Sequence, residues 1–104
     1  MNTETPHVME IVSFRLNTNA DPTAFRHAAR AVDKLLRNRG TAISRSLVVD
    51  DDDVWTDIIE WTSMAEAKAA AEDLVKDPLF APFGAMIDGE TVNMRHAPVQ
   101  HQME

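Results

Sequence analysis

A chain of 104 residues has room for one domain and one hydrophobic core. Its 44% apolar content is too high for a disordered segment, and the absence of cysteine excludes disulfide frameworks, thiolate zinc sites and cysteine nucleophiles. A formal charge of -7 with no basic stripe argues against nucleic-acid binding.

Met9 to Leu16 is rich in β-branched and aromatic residues and reads as a strand, closed by the turn residues Asn17, Thr18 and Asn19. Asp21-Pro22 then opens a helix, with Asp21 as N-cap and proline at the first helical position. Phe25, Ala28, Ala29, Val32, Leu35 and Leu36 form its apolar stripe, Asp33 and Arg37 an exposed i, i+4 pair, and Gly40 a left-handed stop. Ile43 to Val49 and Val54 to Thr62 read as two strands of a hairpin, joined by the four aspartates Asp50 to Asp53.

Ser63 and Glu66 form a capping box before a second helix, whose stripe of Ala67, Ala70, Ala71 and Leu74 lets it lie close on a sheet. Asp77-Pro78 ends it. Leu79 to Ile87 predicts one or two short helical turns, Asp88-Gly89 a turn, and Thr91 to Ala97 the last strand, stopped by Pro98. The resulting β-α-β-β-α-β order predicts an α+β, ferredoxin-like domain spanning residues 1 to 104, with both helices on one face of a four-stranded antiparallel sheet. Its strands are apolar on both parities, as in Ile11 beside Val12 and Ile58 beside Ile59, so the face without helices is expected to pack on a second copy. The expected partner is therefore the chain itself, as a homodimer.

No apolar run reaches the length of a membrane span, and Met1 to His7 lacks the pattern of a signal peptide, which makes the cytoplasm the expected location.

Met-Glu-Ile-Val-Ser-Phe-Arg-Leu, and Trp55-Thr-Asp-Ile-Ile-Glu-Trp61-Thr-Ser before an alanine-rich helix, resemble the dimeric α/β-barrel superfamily, in particular the antibiotic-biosynthesis-monooxygenase-like proteins. The resemblance covers residues 8 to 97. It implies two sheets packed face to face, a small-molecule cavity, and in some members oxidation of polycyclic phenols without metal or flavin. Members with that activity use an asparagine four residues before a tryptophan. Asp57 and Trp61 stand at those positions here, and the chain has no tyrosine. Haem-degrading members have a histidine about ten residues after the strand tryptophan, where this chain reads Ala69-Ala70-Ala71-Glu72.

The sharpest polar residue of each strand suggests a shared cavity holding Glu10, Arg45, Asp57, Trp61 and His96, with Val12, Phe14, Leu47 and Met94 around them. Asp57 or His96 is then the candidate catalytic base. Glu10, Arg45, Trp61 and Arg95 are candidate substrate-binding groups, with Arg45 or Arg95 holding an anion and Trp61 walling the pocket. The competing reading makes Arg45 the partner of Glu10 or Asp57 in a buried structural network. Likewise, Trp55 and Trp61 belong either to a ligand wall or to the core. His7, His96 and His101 come within one neighbourhood if the first and last strands pair, but no HxH or HxxxH spacing supports a metal site. Phosphate-loop, calcium-loop and nucleophile-elbow motifs are missing, so no cofactor and no metal are expected. The chain is expected to bind a small aromatic or polyketide-like molecule. It acts either as a cofactor-independent monooxygenase-like enzyme or as a non-catalytic binding or assembly domain.

Overall fold

A computed structural model describes residues 5–103 of the chain. The elements run β1 (Val8–Leu16), α1 (Pro22–Arg39), β2 (Ala42–Val49), β3 (Trp55–Trp61), α2 (Met64–Leu74), α3 (Ala81–Ala85) and β4 (Ile87–Pro98). All strand pairs are antiparallel, in the order β2-β3-β1-β4. The arrangement is α+β and ferredoxin-like, with the helices on one face. Part of the Met1 to His7 segment lies outside the described residues. Among those described, no helix is long and apolar enough to cross a membrane.

Local chemistry sets the ends of the helices. The Asp21 carboxylate accepts from the Thr23 N–H, and Gly40 ends α1 at φ 80°, where only glycine is free of strain, its N–H donating to the Leu36 carbonyl. Ser63 Oγ accepts from the Glu66 N–H at 3.1 Å to start α2. In the aspartate turn between β2 and β3, Asp50 Oδ1 accepts from the N–H groups of Asp52 and Val54.

Strand pairing arranges the helix-covered face in rows. One row is Leu47, Asp57, Val12 and Met94; the next is Arg45, Ile59, Glu10 and His96; a third is Ala42, Trp61, Val8 and Pro98. Phe14, Phe25, Trp55 and Phe83 fill one end of the core, with Phe25 stacked on Phe83 at 4.5 Å. Trp61, Val8, Ala67 and Ala70 fill the other, each 1% exposed or less.

Two local expectations fail. Asp88-Gly89 is not a turn: β4 already begins at Ile87, which pairs with Leu16. The pairing register shifts between Ser13 and Arg15, and at this irregularity Thr91 Oγ1 donates to the Asp88 carbonyl and accepts from the Arg15 N–H. Turn chemistry is thus spent on a bulge inside a long strand. Nor does Asp33 pair with Arg37; its carboxylate accepts instead from Arg45 on β2.

Candidate functional site

A cavity of about 320 Å³ lies between the sheet and the helices. Its floor comes from Glu10, Val12, Arg45, Asp57, Ile59 and Met94 of the first two rows of the sheet, and its roof from Val32 and Leu36 of α1, Leu74 of α2, and Phe80 and Phe83 at α3. Among the described residues three charged side chains line it: Glu10, Arg45 and Asp57. Its mouth is rimmed by exposed apolar groups, Val75 after α2 and Val92 and Met94 on β4.

Arg45 and Asp57 form a two-pronged ion pair, Nε to Oδ1 at 2.9 Å and Nη2 to Oδ2 at 2.7 Å. Nη1 donates further to the Ala29 carbonyl and to Asp33 Oδ1, so the guanidinium ties α1 to the β2–β3 hairpin. It also lies 5.2 Å from the Phe83 ring centre. Burial opposes the charge on Arg45, but the hydrogen bonds and charge of Asp57, then of Asp33, outweigh it and hold its pKa above the usual value. Four of its five N–H donors are thereby engaged.

Glu10 stands in a different electrical position. His96, its direct cross-strand neighbour, approaches Glu10 Oε1 through Nε2 at 3.0 Å. Among the described residues Oε2 has no hydrogen-bonding protein partner, and Glu10 lines the cavity. Burial pushes the Glu10 carboxyl above the ordinary range, the hydrogen bond and charge of His96 pull it down, and the charge of Asp57 pushes it up again; the net direction is up. The pair can accept a proton at Oε2 while His96 orients the carboxylate from behind.

The remaining sequence candidates sit elsewhere. Trp61 is one row beyond the cavity, fully buried, and its Nε1 has no hydrogen-bond partner among the described residues. Trp55 likewise belongs to the core. Arg95 pairs with Ile11 and is exposed on the face without helices. His96 reaches the site only through Glu10. His7 lies on the opposite face from His96, its Nδ1 2.8 Å from Glu60 Oε2, and no group of three or more metal-binding side chains occurs among the described residues.

Sequence reasoning passed over Glu60, Asp33, Phe80 and Phe83. Glu60 is buried on the open face, where it also accepts from Gln102, and nothing local marks it. Asp33 did carry a signal: it follows Ala29 by four residues, at the border of the apolar stripe.

Searches of solved structures return chains of the same architecture. A point mutant of SnoaB, a cofactor-independent oxygenase from Streptomyces nogalater, superposes with a TM-score of 0.69 at 17% identity, over 95% of this chain and 98% of that one. A candidate antibiotic biosynthesis monooxygenase of Caulobacter crescentus gives 0.70 at 12% identity, over 93% and 92%. The chain has the fold of the antibiotic-biosynthesis-monooxygenase-like proteins. The hydroxynitrile lyase of Passiflora edulis shares it as well, with a TM-score of 0.66 at 12% identity over 95% and 98%. No sequence profile of a known family matches, and no curated protein matches in sequence.

Proposed function

We propose that this protein is a cofactor-independent, monooxygenase-like enzyme that binds a small aromatic or polyketide-like molecule between its sheet and helices. In this reading Glu10 and His96 handle the proton and Arg45 with Asp57 holds the cavity open. The observation that carries it is a carboxyl group with one uncommitted oxygen, backed by a histidine, in a cavity whose other charged lining groups, Arg45 and Asp57, are paired with each other. The volume is at the small end of ligand pockets, which suits a fused two- or three-ring compound. Glu10 Oε2 takes a proton from an O–H or N–H of the substrate. The electron-rich ring then gives two electrons to dioxygen, forming a hydroperoxide at a ring carbon; loss of water takes a second electron pair from the C–H bond there, so one oxygen atom enters the product in place of two hydrogens and the other leaves as water.

A second copy packed on the open sheet face completes the assembly in this proposal. Ile11 and Ile58 pair directly at the middle of that face, beside half-buried Met9, and exposed Val48 lies farther out.

Dioxygen uptake with a panel of hydroxy- and amino-substituted naphthalenes and anthracenes tests the activity. Glu10→Gln and His96→Asn are each expected to lower turnover by about 10²- to 10⁴-fold. If turnover survives both, Glu10 and His96 are not the proton-handling pair. Binding of aromatics with no consumption of dioxygen by the unaltered protein supports the non-catalytic reading, which the spent Arg45–Asp57 pair favours.

A further inference from the structure

The charges around the cavity do not balance. Glu10 and Asp57 bring two carboxylates to its wall, and Asp33 stands just behind Arg45. Against them the lining offers one cation among the described residues, and that guanidinium has given four of its N–H donors to Asp57, Asp33 and the Ala29 carbonyl; His96, behind the lining, is committed to Glu10 Oε1. A carboxylate or phosphate entering here meets two like charges and no uncommitted cation. Among the described residues, Glu10 is the one lining carboxyl group with no arginine on it, its Oε2 has no hydrogen-bonding protein partner, and the lining of the same cavity includes Phe14, Phe80 and Phe83. Aromatic walls and a free carboxylate oxygen both attract positive charge.

We propose that the cavity selects an organic cation: a flat, apolar amine in its ammonium form, hydrogen-bonded to the free oxygen of Glu10. This rests on the reading of the same cavity as the ligand site. The anchoring group is then also the proton acceptor. Transfer breaks an N–H bond, forms an O–H bond on Oε2, and leaves a neutral amine beside a neutral carboxyl group. The upward displacement of the Glu10 pKa is consistent, since a site short of positive charge takes up either a proton or a cation.

Isothermal titration at neutral pH with 1-naphthylmethylamine, 1-naphthylmethanol and 1-naphthoate tests it, because the three share a ring system and differ in charge. The amine is expected to bind about tenfold tighter than the alcohol or better, and the naphthoate weakest. Glu10→Gln should erase the advantage of the amine while the alcohol still binds. Val92→Trp, at the exposed rim, should weaken amine and alcohol together by blocking the mouth. An alcohol that binds as well as the amine, or a naphthoate that binds best, overturns the cation preference and leaves the cavity as a ligand site. Amine binding that survives Val92→Trp unchanged places the cation on the acidic surface and overturns the proposal. If none of the three binds, both the preference and the ligand-site reading fall.

Discussion

Arg45 and Glu10 sit in the same row of the sheet, yet burial has opposite consequences for them. Arg45 is nearly saturated, so removing it strands Asp57 in a place where an unpaired carboxylate costs several kcal/mol. Arg45→Met is expected to lower stability by about 3–5 kcal/mol in urea denaturation, and Arg45→Met with Asp57→Leu to recover most of that loss. Glu10 behaves otherwise. Its pKa is raised in the folded protein, so the folded state holds the proton more tightly than the unfolded chain. The stability it contributes is complete below the unfolded carboxylate range and is lost as pH rises through the folded value. Glu10→Gln is therefore expected to melt higher than the unaltered protein at neutral pH, with the difference shrinking toward zero as melts are repeated down to about pH 4. A difference that grows on acidification would contradict this assignment.

Among the elements, α3 bears most directly on the cavity. A Cβ on Gly84 would sit 2.8 Å from Cε1 of Phe80, whereas one on Gly89 would meet nothing within 4 Å. Both glycines line the cavity. Because a ring can turn where a backbone cannot, Gly84→Ala is expected to cost less than about 1 kcal/mol while displacing Phe80 and weakening aromatic binding. Gly89→Ala is the control, and equal effects on binding would rule out Phe80 as a wall that sets ligand fit. Helix boundaries were readable from the sequence because their causes are local: Asp21-Pro22, Gly40, and Ser63 with Glu66 all act within four residues. Strand parity likewise placed Glu10, Arg45 and Asp57 on one face. What could not be read depends on distance in the chain. The bulge that absorbs Asp88 and Gly89 is set by pairing with Arg15 and Leu16, more than seventy positions away. Trp61 shares the parity of Asp57, and only the placement of the helices decides that it is sealed in the core while Asp57 faces the cavity.

For the whole molecule, the face without helices is mixed rather than apolar throughout. Ile11 and Ile58 lie among Ser13, Thr56 and buried Glu60. If a second copy covers it, sedimentation at micromolar concentration will give twice the 11.6 kDa chain mass, and Ile58→Lys will return the monomer. A single-chain mass for the unaltered protein would remove the dimer from the proposal. Beyond the last row of the sheet, the Val99 N–H donates to the His7 carbonyl at 2.8 Å, so the two ends of the folded unit lie side by side. That hydrogen bond brings the path of the backbone back to where the folded unit starts, with no covalent link across the gap. A short glycine-serine linker across this gap, with the chain reopened within the exposed aspartate turn, would keep every strand pair except the tight β2–β3 connection. It would also turn the long-range β1–β4 pairing into a hairpin while making the β2–β3 pairing the long-range one, so the rearranged protein is expected to refold at about the rate of the natural order in stopped-flow measurements.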